Sequence, residues 1–170
     1  MRIVLLSDTH GCLDDTLIAA CRACDEIWHA GDFGTAEVLD QLKEIGTVRG
    51  VFGNIDGAEL RSQVPEDLEW SSGGLRCYMT HIGGYPGRYD PRARRELERR
   101  KPDVFICGHS HVVRVLRDHK LGLLHLNPGA SGHQGWHTER TAMRFEILEG
   151  KIERLEVLGL GKRGRKYPVR

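Results

Sequence analysis

The chain has 170 residues, 39% of them hydrophobic and 29% charged, with a formal net charge of +1. That length suits one domain with a full core, and no apolar run reaches the ~18 residues that cross a bilayer, so a membrane-spanning protein is not expected. Glycine is in excess, with 21 residues or about 12% against a usual ~7%, which points to tight turns or to loops passing close to a ligand.

The opening MRIVLLSDTH is too briefly apolar for a signal peptide. Five scattered cysteines (Cys12, Cys21, Cys24, Cys77, Cys107) then read as free thiols of a cytoplasmic protein. Cys21 and Cys24 form a C-x-x-C late in a helical pattern, away from a helix start where a thiolate is stabilised, so redox chemistry is not expected.

In chain order, RIVLLS (2–7) reads as a buried strand and LDDTLIAACRAC (13–24) as a helix. EIWHAG (26–31) follows as a strand, TAEVLDQLKEIG (35–46) as a helix and TVRGVFG (47–53) as a strand. This alternation implies parallel strands with covering helices. The second half reads as strands at 65–70, 75–81, 103–107, 112–117, 121–126, 141–148 and 151–157, interrupted by one helix at 91–101. The whole is an α/β fold (α+β in some schemes), with two sheets packed together and helices outside, in a single domain spanning 1–158.

Charge is unevenly distributed. The last twelve residues hold five Lys or Arg and no acid, so the other 158 carry 20 basic and 24 acidic groups, a net of −4. Residues 159–170 read as a basic, solvated tail, with nucleic-acid contact as the less favoured alternative. The helix at 91–101 carries six basic residues, but Arg94 with Glu98 and Glu96 with Arg100 are i,i+4 pairs of a solvated face.

Chemistry collects just past the strand ends. SDTH brings Asp8 and His10, GDFG brings Asp32, GNID brings Asn54, THIGG brings His81, and GHSHV brings His109 and His111. In a largely parallel sheet such ends line one crevice. Asp8 with His10, and His109 with His111, stand at i,i+2, which in extended backbone points both members to the same side. Mixed imidazole, carboxylate and amide donors suit Mn²⁺, Fe or Zn²⁺ better than Ca²⁺. Seven donors exceed one tetrahedral zinc and fit a pair of ions sharing a carboxylate.

The ordered set D-x-H, G-D, G-N-x-D, a single His and G-H-x-H resembles the calcineurin-like metallophosphoesterase superfamily. With the length and the NPGAS stretch (127–131), it is most similar to the small bacterial and archaeal phosphodiesterase branch, itself similar to the retromer subunit VPS29. The resemblance implies a four-layer α/β/β/α sandwich of two mostly mixed sheets. It assigns Asp8, His10, Asp32 and His111 to one ion and Asp32, Asn54, His81 and His109 to the other, with Asp32 bridging. Asp32, Asn54 and His81 would also be counted catalytic. Mn is the favoured metal, with Fe, Zn, Ni or Mg as alternatives, and a bridging hydroxide would attack the phosphorus of a small phosphate ester.

One position departs from the pattern. Many members read G-N-H-D, with a histidine that protonates the leaving oxygen or braces the phosphate; here Ile55 stands in its place. His133, His137 and Arg140 are candidate substitutes as phosphate or leaving-group contacts, with exposed loop residues as the plainer reading. His29 is expected behind Asp32, and His119 and His125 at strand ends. The favoured function is two-metal hydrolysis of a phosphodiester; the alternative is a weakly catalytic or non-catalytic metal-binding scaffold for protein interaction, as in VPS29. A homo-oligomer is compatible with either.

Overall fold

The first strand shows how the layers are made. In β1 (Arg2–Leu6) all four residues from Ile3 to Leu6 are fully buried, so both faces of the strand are covered. Ile3 and Leu5 enter one core, and Val4 and Leu6 enter another, as the two-residue period of a strand requires.

A computed structural model describes residues 1–164. Beyond β1, the chain forms α1 (Asp15–Arg22), β2 (Glu26–His29), α2 (Ala36–Ile45), β3 (Thr47–Gly50) and α3 (Ala58–Gln63). There follow β4 (Asp67–Ser72), β5 (Leu75–Thr80), β6 (Gly84–Tyr85), β7 (Arg88–Tyr89), α4 (Pro91–Arg100) and β8 (Val104–Ile106). The described residues end with β9 (Val113–Asp118), β10 (Leu123–Pro128), β11 (Glu139–Leu148) and β12 (Lys151–Lys162).

Two five-stranded sheets result, ordered β12-β11-β1-β2-β3 and β4-β5-β8-β10-β9. In the first, β1, β2 and β3 are parallel and β11 runs antiparallel to β1. In the second, β5, β8 and β10 are parallel, flanked by antiparallel β4 and β9. Both sheets are therefore mixed. Between them lies a core of Ile3, Leu5, Trp28, Met79, Ile106, Met143 and Phe145. Trp28 meets Trp70 and Phe145 edge-on, at 4.8 and 5.4 Å between centroids, the geometry aromatic quadrupoles favour. The outer face of the first sheet is covered by α1 and α2 through Leu17, Val38, Leu39 and Leu42. The second is covered by α4 through Ala93 and Leu97, packed on Tyr78 and Phe105. This is the expected four-layer α/β/β/α sandwich.

Local chemistry sets the boundaries. Asp14 caps α1 by accepting from the Leu17 N–H at 3.0 Å, and Asp90 caps α4 just ahead of Pro91, a residue suited to a first helical turn. The pairs Arg94–Glu98 and Glu96–Arg100 form on α4.

Four sequence expectations are corrected. The six-residue helix α3 and the short β6–β7 hairpin were not foreseen. His125 is no strand-end residue: it lies within β10, fully buried, with no hydrogen-bond partner on either nitrogen. The basic segment is not a free tail from 159, because β12 continues through Lys162, pairing Gly159 with Thr141 and Lys162 with Glu139. The rest of that expected tail, 165–170, lies outside the described residues.

Candidate metal centre

The parallel strands of both sheets end at one edge, and the loops leaving them are cross-linked through the backbone. Asp8 N–H donates to Gly31 O at 2.9 Å, Gly108 N–H to His81 O at 3.0 Å and Gly132 N–H to Asp8 O at 3.0 Å. Side chains add further ties. Asp56, the last residue of GNID, accepts from Gly53 N–H (2.8 Å), Gly34 N–H (2.8 Å) and Phe33 N–H (3.2 Å), holding two motif loops together. Asn127 does the same for GHSH, donating to Gly108 O at 2.8 Å while accepting from Gly129 N–H at 3.0 Å. Sequence reasoning assigned neither of these roles, although Asp56 stands inside a quoted motif and Asn127 opens NPGAS.

The backbone at the site is not extended. Asp8, His10, Asp32, His109 and His111 all have positive φ, between 49° and 64°. The i,i+2 argument from extended backbone therefore gives way to sharp left-handed turns. Non-glycine residues rarely adopt this region, and such outliers persist where the surroundings over-determine them. Five of the seven expected ligands doing so marks this edge as the strained part of the molecule.

The side chains converge on the two carboxylates. Asp8 Oδ1 lies 3.1 Å from His111 Nε2, 3.9 Å from His10 Nε2 and 4.0 Å from His81 Nε2. Asp32 divides its oxygens, with Oδ1 3.3 Å from His81 Nε2 and Oδ2 3.8 Å from His10 Nε2. Asn54 Oδ1 is 3.0 Å from His81 Nε2. Asp8, His10 and His111 thus form one group of close ligand atoms, and Asp8, Asp32 and His81 a second. His109 comes beside His81, 5.2 Å between ring centroids, but belongs to neither group. Asp8 joins both groups.

The donor set fits cations. His81 gives its Nδ1–H to Ala30 O at 2.7 Å, while its Nε2 faces oxygens of Asn54, Asp32 and Asp8; a proton or a metal has to stand there. His137 donates Nε2–H to Gly132 O at 3.0 Å, so its Nδ1 accepts from His111 Nδ1–H at 3.2 Å. That turns His111 Nε2 toward Asp8 in the same way. Both ring nitrogens of His10 are buried and lack a hydrogen-bond partner, a costly arrangement unless something else binds them.

Electrostatics agree. Burial works against the charged form of Asp8, but His111, His81 and the Ser7 hydroxyl hold its carboxyl below the usual range. Asp32 is likewise desolvated yet held low, chiefly by His81. Burial would lower His81, but the hydrogen bond to Asp32 and the Asp8 charge raise it above an ordinary imidazole. Burial depresses His10 and His109. Two carboxylates held ionised, with burial favouring the neutral form of His10 and His109 beside them, are ready-made ligands.

The remaining expectations are redistributed. Arg140 is no phosphate clamp: it is buried, and its guanidinium donates to Asp14 Oδ2 (2.6 Å), Ser131 O (2.7 Å) and Leu160 O (3.4 Å). His137 has both nitrogens engaged as described, so it is not a free acid beside the cluster, while His133 is held through Nδ1 by Arg163 O. His29 lies behind Thr9 rather than Asp32. Its Nδ1 accepts from Gly31 N–H at 3.2 Å, its Nε2–H meets Thr9 Oγ1 at 2.9 Å, and burial drives its pKa down to about 3. Ile55 touches the centre through its backbone, donating N–H to Asp32 Oδ1 at 3.1 Å while its side chain is half-exposed.

Two cavities flank the cluster. One of about 340 Å³ is lined by Asn54, His81, Arg61 and Arg92, and another of about 240 Å³ by His109, His111, Val112 and Trp136.

Residues 1–150 match the family model of the calcineurin-like phosphoesterase superfamily domain. The chain belongs to that superfamily. A probable metallophosphoesterase of Methanothermobacter thermautotrophicus is 31% identical over 138 residues, 76% of this chain and 77% of the relative. Among solved structures, an archaeal phosphodiesterase superposes with a TM-score of 0.70 at 20% identity, covering 93% of this chain and 100% of that one. Wild-type Vps29 of Entamoeba histolytica complexed with Zn²⁺ gives 0.69 at 18% identity, covering 94% and 99%. Those two likenesses carry the fold. Among the described residues, no helix is long and apolar enough to cross a membrane.

Proposed function

We propose that this protein is a metal-dependent phosphoesterase that holds two divalent ions, Mn²⁺ in first place, and hydrolyses a small phosphodiester. The observation that carries the reading is that two carboxylates stand between the imidazoles: Asp32 has one oxygen toward His81 and the other toward His10, and Asp8 Oδ1 faces His111, His10 and His81, so that two ions held there would share a carboxylate. Asp8, His10, Asp32 and His111 would hold one ion; Asp32, Asn54, His81 and His109 the other. Such a pair supplies a nucleophilic water near neutral pH and neutralises phosphate charge. The chain's own residues do the rest: Ala30 O and His137 fix the ring orientation of His81 and His111, and Ser7, Ile55 and His109 backbone or hydroxyl groups hold the carboxylates in place. Two flanking cavities favour a diester, with one ester group for each.

The second reading, a metal-holding interaction scaffold, is favoured by one feature, Ile55 in place of the motif histidine. The Zn²⁺ in the E. histolytica Vps29 structure means that metal occupancy alone does not separate the two readings. Turnover does. Hydrolysis of bis(p-nitrophenyl) phosphate that requires Mn²⁺ and is lost in Asp32→Ala supports the enzyme. Negligible rates in a wild-type protein shown to bind Mn²⁺ favour the scaffold.

A further inference from the structure

Trp136 is fully exposed, while the loop that carries it is tied down on both sides. Gln134 Nε2 donates to His10 O at 3.4 Å, Gly135 O accepts from Arg163 Nη1–H at 2.8 Å, and His137 is bound to Gly132 and His111. Gly135 also sits so close to the His111 ring that no side chain fits between them. The loop backbone is therefore fixed beside the centre, and the indole it carries is left uncovered. Tryptophan presents one of the largest apolar faces of any side chain, and a ring held open to water at a site is a stacking platform in need of an occupant.

The cavity next to it identifies the occupant. It is lined by Trp136 and Val112, the latter 46% exposed, together with His109 and His111. Anything seated there lies directly against two groups proposed to hold the ions, within reach of a phosphorus bound at them. Ser110 and His137 complete the lining, with no Lys, Arg, Asp or Glu among the six residues, so the cavity offers an indole face and imidazole rings rather than a countercharge. We infer that this cavity receives one ester group of the substrate and that the group is a planar aromatic ring, stacked on Trp136 with Val112 beside it. Trp136 is a specificity-determining residue. The inference rests on the phosphoesterase reading and narrows its substrate class to aryl or nucleoside phosphoesters.

The test uses phosphonates, which are not hydrolysed, with the full chain loaded with Mn²⁺. Calorimetry gives Kd for phenylphosphonate, cyclohexylphosphonate and the phosphonate analogue of adenosine 5′-monophosphate, in wild type and Trp136→Ala. Stacking on an aromatic side chain is worth enough to weaken binding by roughly 5- to 150-fold on truncation. The expected result is a phenyl or adenosine preference over cyclohexyl in wild type that collapses in Trp136→Ala and is largely kept in Trp136→Phe. A larger loss for the adenosine compound marks a nucleobase as the ring, and a larger loss for phenyl marks an aryl ester; both support the inference. No preference in wild type, or one that survives in Trp136→Ala, overturns it. Mn²⁺-dependent hydrolysis of bis(p-nitrophenyl) phosphate by the same wild-type preparation keeps the two claims apart: turnover without the stacking effect removes only the role of Trp136.

Discussion

Gly53→Ala is the sharpest perturbation of the centre that adds no charge and removes no ligand. A Cβ on Gly53 would lie 2.7 Å from Asp32 Cγ and closer still to Asp32 N and Oδ1, whereas ordinary contacts begin at 3.4 Å. Rotating the Asp32 side chain cannot relieve the overlap, because its backbone nitrogen is also struck. With Asp32 N at 2.4 Å, the GNID loop or Asp32 must therefore move by about 1 Å to reach ordinary contact, and metal ligands tolerate only about 0.2 Å. Displacements near 1 Å cost on the order of 10²-fold in rate, and overpacking adds about 1–3 kcal/mol of destabilisation. The expected outcome is kcat/KM for bis(p-nitrophenyl) phosphate down about 100-fold and a reduced Mn²⁺-induced rise in Tm, in a protein still folded by circular dichroism. Gly159→Ala, whose Cβ meets nothing within 4 Å, is the control. If Gly53→Ala matches wild type within twofold in both turnover and metal stabilisation, the placement of Asp32 at the centre is wrong.

Three other outcomes are expected. His137→Phe removes the acceptor that orients His111, and such outer partners are worth about 10- to 100-fold in metal affinity; an unchanged Mn²⁺ Kd by calorimetry would remove that role. Ile55→His keeps the backbone bond to Asp32 and adds an acid worth about 10²-fold or more on methyl phosphodiesters; a gain confined to nitrophenyl esters would argue against a missing leaving-group acid. His125 is pushed down to about 4 by burial, with the Arg114 charge acting in the same sense. Its neutral form is therefore favoured in the fold, and this contribution is intact above pH 6.5 and lost as pH falls toward 4, by about 3 kcal/mol. His125→Phe is expected to flatten that part of the pH dependence in urea unfolding, and equal slopes for both proteins would contradict it.

The convergence at the candidate site was legible because its residues follow short apolar runs, and the parallel strands those runs form bring their ends to one edge. The local geometry was not. Asp8, His10, Asp32, His109 and His111 adopt left-handed backbone that only a folded set of interlocking loops can impose, and nothing in an Asp or His announces it except the glycines nearby. The six residues of α3 are too few for a helical period to show, and GYPGRY reads as turn chemistry although its ends pair as β6 and β7. The β12 strand was cut short in the sequence because Gly159 and Gly161 interrupt its pattern; pairing along β11 carries it past both. Arg140 and His125 misled for a shared reason, since a polar side chain in a loop-rich stretch or a short strand gives no sign of being buried. Arg140 turned out to anchor the Asp14 cap and His125 to fill a core position.

The most direct test of the account is to count ions and turnover in one sample. The metal-free protein is titrated with Mn²⁺ while bound metal and hydrolysis of bis(p-nitrophenyl) phosphate are measured at every step. The account predicts saturation at two ions per chain, with activity appearing as the second ion binds and both lost in Asp32→Ala. Full activity at one ion, or two bound ions without turnover, would contradict it.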